Sequence, residues 1–314
     1  MKRTIVFILI IMTLVLLCAC SGGQRGIDVA CMSGPTGMGA VKLMEDDSAE
    51  GKYAFTVASA AEEVVPSVAS GEYEIACIPT NLAASLYNKT GGGVKVAAVN
   101  TLGVLYILGR EDVASIKDLA GKKIYATNPA STPQYILEYV LKQNGLDPQK
   151  DLTIEYTDAD TLSTGLASGD ITIGMLPEPK VSATLIKSGE VKVLFSMNDE
   201  WDKVCDTQIM QGCVVVNSKF ADEHPDEVKS FLAAYKSSVE FVNSEPKSAA
   251  GLCEKYGILP KAAIAERAYP GANVVYITGD EMKKGLTEFL QVLCDASPAS
   301  VGGSMPGEDF FYEK

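Results

Sequence analysis

Short apolar blocks alternate with amphipathic stretches along most of this chain. Residues 27–31, 53–58, 75–78 and 94–99 are apolar runs closed by turn residues, which is the pattern of buried strands. Between them, residues 38–45, 61–69 and 82–88 carry apolar positions at helical spacing. A strand at 104–108 opens a second series. Strands are predicted at 122–126, 152–156, 171–176 and 191–195, with helices at 134–144, 161–167 and 178–187. Residues 214–217 read as one more buried strand. The texture then turns helical, at 225–243, 246–256, 260–268 and 280–294, and the first three open at proline, which suits a first helical turn. The last twenty residues are rich in Gly, Pro and Ser and predict an irregular or frayed end. The alternation predicts an α/β fold with parallel-rich sheets covered by helices on both faces.

The amino terminus is a different material. Lys2 and Arg3 precede an apolar stretch over residues 5–17, interrupted by Thr13. Thirteen residues are short for crossing roughly 30 Å of hydrocarbon but fit the core of a secretory signal. The run ends in Leu17-Cys18-Ala19-Cys20-Ser21, which resembles the bacterial lipobox. That resemblance implies a signal peptide at 1–19, removal of which leaves Cys20 lipidated, and a tether over 20–26. Acyl chains on Cys20 would hold the body at the extracytoplasmic face of the cell membrane.

Composition narrows the chemistry. Of 314 residues, 27 are Lys or Arg and 40 Asp or Glu, giving a formal net charge of −13, which argues against nucleic acid as a partner. The single histidine, His224, precedes Pro225 at a helix start and reads as a surface cap, so catalytic triads and histidine metal sites are excluded. No cofactor and no metal are expected. Six cysteines follow the lipobox. Cys31 and Cys77 fall in apolar strands and read as buried thiols; Cys205 with Cys213, or Cys253 with Cys294, could pair in an exported protein.

Three further segments carry a resemblance. They are Gly109-Arg110-Glu111-Asp112 with the stretch 116–124, Leu166-Ala167-Ser168-Gly169-Asp170 before Leu176-Pro177-Glu178-Pro179, and His224-Pro225-Asp226-Glu227 leading into Phe231-Leu232. In this order behind a lipobox they resemble the solute-binding lipoproteins of ABC importers, in the branch serving alkanesulfonates, taurine and thiamin-pyrimidine precursors. The resemblance implies a two-lobe type 2 periplasmic binding fold. One lobe would comprise 27–103 plus 214–314 and the other 104–213, with hinge crossings near Thr101-Leu102-Gly103 and Gln211-Gly212.

In open α/β sheets a ligand sits beyond the carboxyl ends of the strands. This rule selects Ser33, Gly34, Thr36, Gly37, Thr80 and Asn81 in the first lobe. It selects Asn128, Ser131, Thr132 and Glu178 in the second, with Asn100 and Thr101 at the crossing. Gly34-Pro35-Thr36-Gly37-Met38-Gly39 is neither a Walker loop nor a dinucleotide fingerprint. Trp201, the one tryptophan, could line the cleft or pack, and Tyr106, Tyr125 and Tyr135 are further cleft candidates. The expected function is capture of a small organic solute by hinge closure, as a monomer, for an ABC permease and its ATPase. Asn81, Asn100, Asn128 and Glu178 lean toward a nitrogen heterocycle, with a sulfonate next. An enzyme of the same fold and a sensory lipoprotein without a transporter are the alternatives.

Overall fold

The structure, a computed structural model, describes residues 26–313. The signal, the lipobox cysteine Cys20 and most of the tether lie outside the described residues.

The chain begins with β1 (Ile27–Met32), a short α1 (Pro35–Met38) and α2 (Val41–Asp47). Then come β2 (Tyr53–Ala58), α3 (Ala61–Ser70), β3 (Ile75–Pro79), α4 (Thr80–Thr90) and β4 (Val94–Leu102). The second half has β5 (Leu105–Gly109), β6 (Lys123–Ala126), α5 (Thr132–Gln143), β7 (Thr153–Tyr156) and α6 (Ala159–Ser168). It continues through β8 (Ile173–Pro177), α7 (Lys180–Lys187), β9 (Lys192–Ser196) and α8 (Met197–Asp202). The chain returns with β10 (Met210–Asn217), α9 (Ser218–Glu223), α10 (Pro225–Ser244), α11 (Pro246–Lys255), α12 (Ala262–Ala272), β11 (Val274–Ile277) and α13 (Gly279–Ala296).

Two sheets result, ordered β11-β4-β10-β3-β1-β2 and β7-β6-β8-β5-β9. β1 pairs in parallel with β2 and β3, and β6 with β7 and β8. The sheets are mixed, however. β10 runs antiparallel to β3 and β4, and β5 runs antiparallel to β8 and β9. Each of these is the strand that has just crossed from the other sheet. A chain leaving β4 at its carboxyl end enters β5 beside the carboxyl end of β8, so β5 must run the opposite way. The same holds for β10. The two sheets therefore meet where the carboxyl ends of their parallel strands converge.

Both crossings contain a glycine, for a reason other than a left-handed hinge conformation. Neither Gly103 nor Gly212 has positive φ. A β-carbon on Gly103 would collide with the Asn198 carboxamide, and one on Gly212 would lie 2.7 Å from Asn100 Oδ1 and 3.0 Å from Thr101 Cβ. Asn198 and Asn273 both donate to Gly103 O, at 2.8 and 2.6 Å, and Gln211 Oε1 accepts from Val104 N–H at 3.3 Å. Gln211 and Gly212 lie inside β10, whose pairing with β4 begins at Met210, within the six-stranded sheet.

A large apolar core runs from one sheet to the other and includes Ile78, Val99, Ile107, Ile124, Met175, Trp201 and Phe289. A second core, with Val29, Met38, Phe231 and Tyr235, lies under α2 and α10–α12. The carboxyl end is pinned rather than frayed: Phe310, Phe311 and Tyr312 are buried, and Tyr312 N–H donates to Val96 O at 2.9 Å. The strand β11 and helix α8 were not anticipated. The helix expected at 260–268 spans Ala262–Ala272, and that expected at 178–187 starts at Lys180, after Glu178 and Pro179. No helix among the described residues is long and apolar enough to cross a membrane.

Candidate functional site

The loops at the carboxyl ends of β1, β3 and β4 form one cluster. Gly34 precedes α1 with φ of 91°, a backbone conformation that glycine adopts without a β-carbon clash. Asn100 sits at the centre, 1% exposed. Its Nδ2 donates to Thr36 O and to Tyr235 Oη, both at 3.1 Å, and its Oδ1 accepts from Thr101 Oγ1 at 3.0 Å. Thr80 Oγ1 donates to Met210 O at 2.6 Å, fastening the start of α4 to β10. These side chains hold the loops in place. Ser33, Thr36 and Asn81 are half-buried and leave their side-chain polar atoms without hydrogen bonds among the described residues.

The second cluster lies at the carboxyl end of β6. Thr127-Asn128-Pro129-Ala130-Ser131-Thr132 turns sharply into α5, with Asn128 and Ala130 at φ of 53° and 56°. Non-glycine residues pay for such angles, which mark loops whose shape is set by something other than local preference. Ser131 stands at the N-cap position but makes no cap bond; its hydroxyl donates to Asn128 O instead. Ala130 N–H donates to Gln134 Oε1 at 2.7 Å. The hydroxyls of Thr127 and Thr132 are buried without any hydrogen-bond partner. Thr127 was not among the sequence candidates; its place directly after the apolar β6 run was the available signal.

Glu178, at the end of β8, is 6% exposed. Its carboxylate accepts from Ser182 N–H at 3.1 Å and Ser182 Oγ at 3.0 Å, so it caps the start of α7. Burial pushes its carboxyl up to about 7, and the Ser182 hydrogen bonds and Arg267 oppose that rise. Tyr106 Oη donates to Gly271 O at 3.0 Å, joining β5 to α12 of the other half.

Other candidates fall elsewhere. Trp201 is fully buried and packs between Tyr139 and Phe289, with ring centroids at 4.6 and 5.9 Å, so it does not line the cleft. His224 is half-exposed and stacks on Phe220. The six described cysteines are all free thiols, so neither Cys205–Cys213 nor Cys253–Cys294 is bridged; Cys213 lies 3.5 Å from Ile78 O and Cys253 3.1 Å from Tyr269 Oη. A concavity of about 570 Å³ lined by Ile27, Lys52, Glu74 and His224 lies at the opposite, amino ends of β1–β3. No cluster of potential metal ligands occurs among the described residues.

A profile of NMT1/THI5-like proteins matches residues 52–249. The chain belongs to this family. A search of curated proteins found no match. Among solved structures the fold is similar to an ABC transporter protein from Parabacteroides distasonis, with TM-score 0.79 and 23% identity over 93% of this chain and 100% of that one. It is also similar to the periplasmic aliphatic sulphonate binding protein SsuA from Escherichia coli, with TM-score 0.73 and 16% identity over 93% of each chain. The periplasmic nitrate-binding protein NrtA from Synechocystis PCC 6803 follows, with TM-score 0.61 and 12% identity over 89% of this chain and 84% of that one. The family member described here thus has the two-lobe periplasmic-binding fold.

Proposed function

We propose that this protein is an extracytoplasmic solute-binding protein of an ABC importer, anchored through lipidated Cys20. It closes its two lobes on a small organic solute and delivers it to a permease with its ATPase. The observation that carries this reading is the pair of buried, unpartnered hydroxyls of Thr127 and Thr132 at the start of α5. Buried polar groups are nearly always hydrogen-bonded, and each orphan costs about 1–3 kcal/mol. A solute atom accepting from them, with α5's first N–H groups alongside, supplies the missing partner.

The solute is acceptor-rich. Of the four residues favouring a nitrogen heterocycle, Asn100 and Glu178 are engaged with protein partners. Ser33, Thr36, Thr127 and Thr132 offer hydroxyls, and Asn81 offers its amide. This set supports a sulfonate or carboxylate over an amino-heterocycle. A thermal-shift panel with alkanesulfonates, taurine, small carboxylates and amino-pyrimidines tests it. A ligand at 100 times its Kd adds about 2.7 kcal/mol of stability. Thr132→Val is expected to erase that shift while raising the unliganded melt, because it removes an unpartnered buried hydroxyl. A response confined to amino-pyrimidines, or an undiminished response in Thr132→Val, refutes the assignment.

Anchoring has its own test. Cys20→Ser is expected to abolish acylation and processing at this site, read by mass spectrometry of the purified chain. Acyl chains persisting on the variant would exclude Cys20 as the attachment point.

A further inference from the structure

Glu178 belongs to the end of β8, yet what covers it comes from the other lobe. Helix α12 packs against α7, and Gly271 lies directly over the carboxylate. A β-carbon at Gly271 would sit 3.1 Å from Glu178 Oε1 and 3.0 Å from Tyr106 Oη. The carboxylate therefore lies in the seam between the lobes, held by the Ser182 N–H and hydroxyl. Lys180, the nearest lysine in sequence, pairs with Asp160 at 2.5 Å instead. The charged and titratable groups facing Glu178 are Tyr106 on β5 and Arg267 on α12, with Asp199 on α8 acting on Tyr106. A carboxylate sealed here with neutral donors has lost its water without gaining a close cation.

We propose that Glu178 links closure of the cleft to proton uptake: its carboxyl carries a proton while α12 lies over it and gives that proton to water when the lobes part. This regulation rests on the two-lobe clamp reading above. The sign follows from linkage. Burial raises the carboxyl from its ordinary value of 4.5 to about 7 in the closed form, so the closed form binds more protons than the open one. The extra preference for closure is complete below the ordinary carboxylate value. It is lost as pH rises toward about 7, by up to about tenfold in the closed-to-open ratio per pH unit. Solute would be held more tightly in an acidified medium.

Hydrogen exchange on the acylated full chain in detergent micelles, without solute and corrected for intrinsic pH dependence, tests this. Peptides of α7 and α12 are expected to exchange about tenfold or more slowly at pH 5.5 than at pH 7.5. Glu178→Gln, neutral at both values, is expected to stay protected at both. Helix α10, remote from the seam, serves as the reference and is expected not to respond. Equal protection of α7 and α12 at both pH values in the unmodified chain would overturn the proposal. So would a pH response surviving in Glu178→Gln, or a parallel response in α10. None of these outcomes depends on solute, so they are distinct from failure of the solute-binding reading.

Discussion

Trp201→Ala is expected to destabilise the protein by about 3–5 kcal/mol, the range for emptying a large aromatic site in a packed core. Trp201 is fully buried on α8, Tyr139 approaches it from α5, and Phe289 meets it edge-on from α13. Its Nε1–H donates to Thr207 O at 2.7 Å, and Thr207 Oγ1 in turn donates to Gly285 O on α13 at 3.3 Å. The indole therefore ties the return crossing to a helix of the other half as well as filling space. Collapse around the cavity would have to move three helices at once, which keeps the cost near the upper part of the range. Trp201→Phe keeps most of the ring but orphans Thr207 O, and about 1–3 kcal/mol is expected. Urea titrations followed by circular dichroism check both. A loss below about 1 kcal/mol for Trp201→Ala would mean that the stack does not bear on the junction.

The sequence made most of this fold legible because its strands are short apolar runs and its helices open at prolines or polar caps, as at Pro225 and Pro246. Strand direction was not legible. Val214-Val215-Val216 has the same local pattern whether it runs parallel or antiparallel, and only its arrival from the other lobe decides. Val274-Val275-Tyr276-Ile277 is strand-like by composition, but it pairs only because β4 extends to Leu102 and offers an edge. The aromatic end, Phe310 to Tyr312, was hidden among Gly, Pro and Ser; its burial depends on Val96, more than two hundred residues away in sequence. The rule that ligands sit at strand ends selected loops that do follow the carboxyl ends of β1, β3, β4, β6 and β8. It could not divide residues that hold the loops from residues left free, since the acceptors of Asn100 Nδ2 and Thr80 Oγ1 are 64 to 135 positions distant. Trp201 was ambiguous for the same reason: Asp199 and Glu200 beside it look like a solvated surface, and the partners that bury it are remote.

Asn100→Ala is expected to cost about 3 kcal/mol, mostly through the groups it abandons rather than the bonds it loses. Tyr235 Oη is buried and would lose the Asn100 donor it accepts from at 3.1 Å. Thr36 O would lose the Nδ2 donor that fastens α1, and Thr101 Oγ1 would lose its acceptor. The small side chain also leaves space beside Gly212, where Asn100 Oδ1 now closes the gap. This account separates itself from a simple cavity effect by a double-mutant cycle. Tyr235→Phe removes the hydroxyl that Asn100→Ala would strand, so in that background Asn100→Ala is expected to cost at least about 1 kcal/mol less. Purely additive losses in thermal or urea melts would place the cost in lost volume alone. The same variant is expected to weaken solute capture as well, because Thr36 lies on α1, which Asn100 holds, and Ser33 just ahead of it.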